Sequence, residues 1–140
     1  MKVGIAKTDI TTFQEGVAML GYGKPFNIMK SIESRLYARA FVFKDENGNK
    51  VAFVNNEICF ITQSLKNGVV NYLNNHHPEF GYTDSNILLN AQHTHSGPSG
   101  YSHYGLYNAS TPGFVEEIYN NLVEKISKSI IEAENNFVQV

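Results

Sequence analysis

The first third of the chain shows two segments with the sequence pattern of β-strands, separated by a loop that glycines and a proline punctuate. The stretch VGIAKTDI (3–10) predicts a first strand, and SRLYARAFVFKD (34–45) predicts a second. VAFVNNE (51–57) returns after Asn47-Gly48, the dipeptide most typical of a tight hairpin. In the second strand one face carries Leu36, Ala38, Ala40 and Val42, and the other carries Tyr37, Arg39, Phe41 and Phe43.

From Thr62 onward the spacing of apolar residues changes from the two-residue period of strands to the period of helices. Thr62 is a suitable N-cap, and the residues that follow place Leu65, Val69, Tyr72 and Leu73 on one face. A longer helix is predicted from about Pro112 to Glu134, with Thr111 as its N-cap and proline at the first helical position. Its apolar face would consist of Phe114, Ile118, Leu122, Ile126, Ile130 and Ala133.

Between the two helices, NILLNA (86–91) is an apolar run of strand length. Because it has no polar alternation across Ile87, Leu88 and Leu89, we expect an interior strand that is buried on both faces. The order of elements is strand, hairpin, helix, strand, helix. This order predicts an α/β fold, a mixed sheet with helices packed on it.

Composition narrows the possible partners. The 140 residues are 42% hydrophobic and 17% charged, as in one globular domain. The net charge of −2 gives no reason to expect nucleic acid as a partner. No segment approaches the roughly 20 apolar residues of a transmembrane helix. No signal peptide is visible, so a cytoplasmic protein and an exported one whose signal has been removed both stay open.

The single cysteine, Cys59, lies in the apolar run EICFI (57–61) and excludes an internal disulfide. Its neighbours offer no cation that would lower the pKa of the thiol. We therefore expect Cys59 to be buried and unreactive.

Three of the five histidines gather in LLNAQHTHSGPSGYSHYG (88–105), directly after the strand NILLNA. His93 and His95 are two positions apart, so in extended backbone their side chains point the same way, with Cα atoms about 6–7 Å apart. Neutral imidazole suits zinc, and zinc suits hydrolysis because it lowers the pKa of water. Spacing alone leaves three readings open: one metal ligand with a histidine beside it, two ligands, or an ordinary hydrogen-bonded pair.

Other residues of this loop have both functional and structural interpretations. His103 is expected to form loop hydrogen bonds, and His76-His77 to lie exposed at a helix end. Three tyrosines, Tyr101, Tyr104 and Tyr107, either line an acyl-chain path or pack within the loop. Ser96 follows a histidine but lacks the G-x-S-x-G elbow of serine hydrolases.

The run NILLNAQHTHSGPSGYSHYGLYNASTPGF (86–114), preceded by GIAKTDIT (4–11) and MLGYG (19–23), closely resembles the N-terminal part of the neutral/alkaline non-lysosomal ceramidases. The likeness extends over essentially the whole chain, and the motif HTHSGPSGY followed by SHY is specific to that family. The resemblance implies a zinc amidase that cleaves the N-acyl amide of ceramide to sphingosine and a fatty acid.

Carried over by position, the resemblance makes His93 a zinc ligand and His95 a second active-site histidine beside the metal. The residues that would shape the wall of the site are Ser96, Gly97, Pro98, Gly100 and Tyr101. Small departures from the family pattern are Gln92, Ser99 and Glu57, the last in place of aspartate.

The family completes its zinc site with a histidine, a glutamate and a tyrosine supplied much later in a longer chain. Downstream of Asn108 this sequence has no histidine. The resemblance therefore implies that residues 1–140 are an N-terminal fragment of a neutral ceramidase-like catalytic domain, with the rest of that domain expected downstream and a sphingolipid or other N-acyl lipid as substrate. A truncated product without turnover, a non-catalytic α/β binding module whose histidine loop takes up metal adventitiously, and a metal-free serine hydrolase are the alternatives.

Overall fold

The computed structural model describes residues 1–24, 26–109, 111 and 113–140. They form a five-stranded sheet and two α-helices, with short 3₁₀ turns at Pro78–Phe80 and Gly105–Asn108. In chain order the elements are β1 (Lys2–Asp9), β2 (Tyr37–Lys44), β3 (Lys50–Asn56), α1 (Gln63–His76), β4 (Ile87–Ala91), α2 (Glu116–Glu134) and β5 (Phe137–Gln139).

The sheet is mixed, as predicted. Its strand order is β4-β3-β2-β1-β5, in which β3 and β4 are parallel and the other neighbours are antiparallel. The β2–β3 hairpin turns at the predicted place, where Gly48 has a φ of 87°. The Asp45 carboxylate accepts the backbone N–H of Asn49 at 2.8 Å, which closes the turn.

Helix α1 begins where the sequence predicts and joins β3 to its parallel neighbour β4. The Thr62 hydroxyl accepts the backbone N–H of Leu65 at 3.1 Å, so one of the free donors of the first turn is satisfied. The helix buries Leu65, Val69 and Leu73.

One face of the sheet holds the core, together with both helices. Helix α2 packs against β1, β2 and β3 and also against α1. Small side chains let the layers approach: Ala38 and Ala40 are fully buried, and a Cβ on Gly4 would overlap the Ala133 carbonyl oxygen. At the same end of α2, Tyr82 donates a hydrogen bond to Glu134 at 2.6 Å.

The prediction that NILLNA forms an interior strand is wrong. The run does form β4, but at an edge of the described sheet, and Leu88 on its outer face is 56% exposed. The reason is that α1 brings β4 alongside β3, while β1 and β5 extend the sheet on the other side of β2. No other strand of the described residues pairs with the outer edge of β4.

The start of the second helix also differs from the prediction. Helix α2 begins at Glu116, with Val115 rather than Thr111 at the N-cap position. Val115 is extended and donates its N–H to the Gly100 carbonyl at 2.7 Å, so this stretch pairs with the histidine loop instead of continuing the helix. Phe114 is 41% exposed and does not pack on the sheet. Pro112, predicted at the first helical position, lies outside the described residues.

The remaining predicted core positions of α2 are buried, among them Ile118, Leu122, Ile126 and Ile130. Strand β5 was not predicted, because three residues are too few to show a period. Among the described residues, neither helix is long and apolar enough to cross a bilayer.

Candidate metal centre at the histidine loop

The histidine loop starts as a continuation of the β3–β4 pair. The backbone N–H of Gln92 donates to the Asn56 carbonyl at 3.0 Å, and that of His93 donates to the Ile58 carbonyl at 3.2 Å. His93 is thereby fixed at the carboxyl end of two parallel strands, the edge at which open α/β sheets bind ligands.

His93 has a constrained backbone and a fixed ring. Its φ of 65° lies in the left-handed region, which no other non-glycine residue of the described chain adopts. The ring Nδ1 lies 2.8 Å from the Cys59 carbonyl oxygen. Because a carbonyl can only accept, Nδ1 carries the proton, and in the neutral ring Nε2 keeps a free lone pair. This is the hydrogen bond that usually orients a histidine ligand towards a metal.

His95 is positioned by packing. Its ring makes T-shaped contacts with the rings of His93 and Tyr22, each with a centroid separation of 4.8 Å. Gly21 lies against the ring so closely that a Cβ there would be 2.4 Å from its carbon atoms. With a φ of 118°, Gly21 also has a backbone conformation that favours glycine. This role of Gly21 was not predicted, although the two glycines of MLGYG are a visible signal in the sequence.

The segment that carries Gly21 is tied to the histidine loop by backbone hydrogen bonds. Leu20 N–H donates to the Gly97 carbonyl at 3.2 Å, and Ser99 N–H donates to the Ala18 carbonyl at 3.1 Å. Met19 and Pro98 face one another as an isolated β-bridge. The glycine segment and the histidine loop therefore form one unit.

Cys59 joins the two histidines in a compact cluster. One ligand atom from each of Cys59, His93 and His95 lies within 4.8 Å of the others. The thiol is buried, as predicted, and burial raises the pKa of Cys59. Imidazole nitrogen and thiolate sulfur are the donors that zinc prefers, so the chemistry of this set fits that metal.

The proposed wall residues divide into buried and exposed ones. Gly97, Pro98 and Gly100 are buried, whereas Ser96 is exposed. Tyr101 is fully buried and does not line an open surface. Its hydroxyl donates to the Phe60 carbonyl at 3.0 Å and accepts the Phe60 N–H at 3.2 Å, so it anchors the loop to the segment that follows β3.

The other histidines lie away from the cluster. His103 pairs through Nδ1 with the Ser64 hydroxyl at 2.9 Å and packs on the ring of Phe114. His76 is exposed at the end of α1, as predicted, whereas His77 at the C-cap is half-buried and stacks on Phe80.

Glu57, one of the departures from the family pattern, lies on the sheet. Its carboxylate accepts the Tyr37 N–H at 2.7 Å and pairs with Arg39 at 2.6 Å, so it ties β2 to the residue after β3. Its described hydrogen bonds do not involve the histidine rings.

A cleft of about 290 Å³ opens beside the loop, bordered there by Ser96 and Pro98. Its apolar walls come from Phe13, Met19, Ile28, Met29, Ile32 and Leu36, and its polar walls from threonine, serine, lysine and glutamate side chains. A cleft with both kinds of wall suits an amphipathic molecule.

The chain is similar in sequence and in fold to proteins named neutral ceramidases. The sequence pattern of the family described as "Neutral/alkaline non-lysosomal ceramidase, N-terminal" matches residues 1–139. Neutral ceramidase B of Dictyostelium discoideum is 37% identical over 132 residues, which are 94% of this chain and 18% of that protein. Neutral ceramidase of Oryza sativa subsp. japonica is 36% identical over 134 residues, 96% of this chain and 17% of that protein.

The crystal structure of neutral ceramidase from Pseudomonas aeruginosa has the same fold over the matched part, with a TM-score of 0.91 and 37% identity. The match covers 97% of this chain and 22% of the solved one. This chain therefore spans about a fifth of the length of the relatives that it matches.

Proposed function

Because the chain belongs to the neutral/alkaline non-lysosomal ceramidase family, we propose that it carries the histidine loop of a zinc-dependent amidohydrolase. The proposed substrate is the N-acyl amide of ceramide or a related N-acyl lipid, and the products are sphingosine, or the corresponding amine, and a fatty acid. Since the chain spans about a fifth of the relatives' length, we further propose that its 140 residues are an incomplete catalytic unit.

The observation that carries the proposal is the state of the His93 ring. Its Nδ1 proton is held by the Cys59 carbonyl at 2.8 Å, so the lone pair of Nε2 is the one free to bind a metal. His93 is exposed at the end of β4, where a ligand from another part of a larger domain can reach the same ion.

When bound there, zinc supplies a Lewis acid that polarises the amide carbonyl and lowers the pKa of water. A catalytic zinc site usually has three protein ligands and one open position. We assign His93 as one of these ligands and infer that the others come from the remainder of the catalytic domain.

His95 is proposed to act beside the metal. In amide hydrolysis the oxygen of water adds to the carbonyl carbon, the C–N bond breaks, and the leaving nitrogen takes up a proton. The ring of His95 lies 4.8 Å from that of His93, close enough to move that proton or to donate a hydrogen bond to the oxyanion. Packing against Gly21 and Tyr22 places the ring without using its nitrogens.

The cleft beside Ser96 and Pro98 supports a lipid substrate. Its apolar side chains offer a path for a hydrocarbon chain, while the polar ones can face a headgroup. Neither histidine ring lines this cleft, but Ser96, the residue after His95, borders it. We propose that the amide bond lies at the Ser96 end of the cleft.

A second candidate is a metal-binding module without turnover. The cluster of Cys59, His93 and His95 favours it, since three potential ligand atoms come from this chain alone. In this alternative the thiol of Cys59 completes the site and no further domain is needed.

Zinc content and hydrolysis separate the two candidates. We expect the isolated chain to hold zinc weakly and to leave a fluorescent ceramide intact, and the complete catalytic domain to retain one zinc after dialysis and to cleave it. If the isolated chain and the complete domain both bind one zinc ion tightly and neither cleaves the ceramide, the metal-binding module would be favoured. Tight zinc with turnover in the isolated chain would refute the incomplete unit, and a complete domain without zinc would refute the amidase mechanism.

A further inference from the structure

The face of the sheet opposite the helices is apolar and open. Two rows of side chains cross it, because residues paired across neighbouring strands point to the same side. One row runs through Ile5, Phe41, Phe53 and Leu88, and the other through Val138, Val3, Phe43 and Val51. Five of these side chains are between 41% and 57% exposed, namely Ile5, Phe43, Val51, Leu88 and Val138.

This face spans all five strands, which is more than scattered surface residues would explain. Single exposed apolar residues are ordinary on proteins, whereas a contiguous apolar patch marks a surface that binds something. Sheets of parallel strands are usually covered on both faces, and this sheet contains one parallel pair, β3–β4. In the described residues the helices cover only the inner face.

The outer edge of β4 is open as well. Edge strands of isolated sheets are usually protected by charged residues, proline or a bulge. β4 reads ILLNA and has neither charge nor proline. An edge of this kind is suited to accept a further strand.

A polar row limits the apolar face on the side of the histidine loop. Lys7, Arg39, Asn55 and Asn90 lie side by side across β1 to β4, one step nearer to the ends of β3 and β4. A protein segment that covers the apolar rows would therefore also contact this polar row. Beyond the polar row it would reach the end of β4, from which His93 extends.

We propose that this face and the edge of β4 form the docking surface for the remainder of a ceramidase catalytic domain, the part that the relatives carry outside the matched segment. This inference rests on the proposed function, which assigns the missing zinc ligands to the same remainder. Length favours this occupant over a second copy: the solved Pseudomonas aeruginosa ceramidase contains this fold in 22% of its chain, so most of that protein is available to cover the sheet.

Co-expression tests the proposal. The tagged 140-residue chain is produced together with the unmatched part of the Pseudomonas aeruginosa enzyme, and the amount captured is measured. We expect a one-to-one complex. Ile5→Lys and Leu88→Lys should each reduce capture more than about tenfold, because a lysine would be buried without a partner. Leu106→Lys is the matched control, since Leu106 is 81% exposed outside the sheet.

A second measurement keeps folding and docking apart. Because Ile5 and Leu88 are exposed in the isolated chain, their lysine variants should unfold within a few degrees of the parent. Hydrogen exchange at the amides of β4 should slow in the complex. Absence of capture by the parent chain, or equal capture by all three variants, would overturn the proposal.

Association of two copies of the chain would give a different result. A dimer of the isolated chain in sedimentation that Ile5→Lys abolishes would assign the face to a second copy and would also overturn the proposal. Neither readout requires zinc or turnover, so a complex that forms without amidase activity would refute the proposed function and leave the docking surface standing.

Discussion

The two histidines of the loop lie side by side but are held in different ways. His93 is fixed by backbone groups: its own N–H donates to Ile58 and its ring to the Cys59 carbonyl. His95 is fixed by surfaces, with Gly21 on its ring and Tyr22 at 4.8 Å.

The difference agrees with the two roles proposed for these histidines. A hydrogen bond at Nδ1 fixes the tautomer and leaves Nε2 as a lone pair, which suits a ligand that must stay neutral. Packing fixes the place of a ring but leaves both nitrogens able to exchange protons, which suits a group that carries one. Each support can be removed separately.

Gly21→Ala should have the largest effect on the chain. The new Cβ would lie 2.4 Å from the His95 ring, and the φ of 118° is strained for alanine. We expect a loss of about 3 kcal/mol in the free energy of unfolding, from backbone strain and overpacking together. Thermal or urea unfolding of the 140-residue chain measures it.

Gly23→Ala is the matched control for that substitution. Gly23 also has a positive φ, of 65°, but nothing lies within 4 Å of its Cβ position. The loss should be only about 1 kcal/mol, the backbone cost alone. Equal losses in the two variants would show that the contact with His95 is unimportant.

Tyr101→Phe should weaken the segment that orients His93. The Tyr101 hydroxyl bonds both the N–H and the carbonyl of Phe60, next to Cys59. Removing it leaves the part-buried N–H and carbonyl of Phe60 without this partner, which should cost about 2 kcal/mol. Tyr107→Phe, at an exposed position, should cost little; a similar loss in both variants would contradict the anchoring role.

The same tyrosine predicts a pH dependence. Burial raises the pKa of Tyr101 in the folded chain above its usual value. In the unfolded chain the Tyr101 hydroxyl ionises at about pH 10. The stabilisation is therefore complete below about pH 10 and is lost as pH rises towards the folded pKa. The free energy of unfolding should fall less steeply above that pH in Tyr101→Phe, although not become flat, because burial also raises the pKa of Tyr82.

Features that depend on residues close together in the sequence were predicted more successfully than features that depend on distant residues. The Thr62 cap and the Asn47-Gly48 turn depend on residues within a few positions, and both form as predicted. The edge position of β4 depends on which strands assemble around it, so an apolar run was not enough to predict it. The contact between Gly21 and His95 joins residues 74 positions apart, and only its glycines are visible in the sequence.

The predicted start of α2 was wrong for a related reason. Thr111 has the chemistry of a cap, but the backbone of Val115 is engaged by Gly100 in the histidine loop. Tertiary pairing thus outweighed a local preference.

Cys59→Ala is expected to have a small effect. Removing a buried thiol should cost about 1 kcal/mol of stability. If the carbonyl of residue 59 is what orients His93, zinc affinity should change only a few-fold, because alanine keeps that carbonyl. A loss of more than about a hundredfold in zinc affinity would instead make the thiol a ligand and favour the metal-binding module.

The most direct measurement of the central claim is the zinc content of a complete ceramidase domain carrying either His93→Ala or His95→Ala, measured after dialysis together with hydrolysis of a fluorescent ceramide. We predict that His93→Ala loses zinc and activity together. We predict that His95→Ala keeps most of its zinc and loses most of its turnover. Retained zinc in His93→Ala, or parallel loss of zinc and turnover in His95→Ala, would contradict the division between a ligand and a proton carrier.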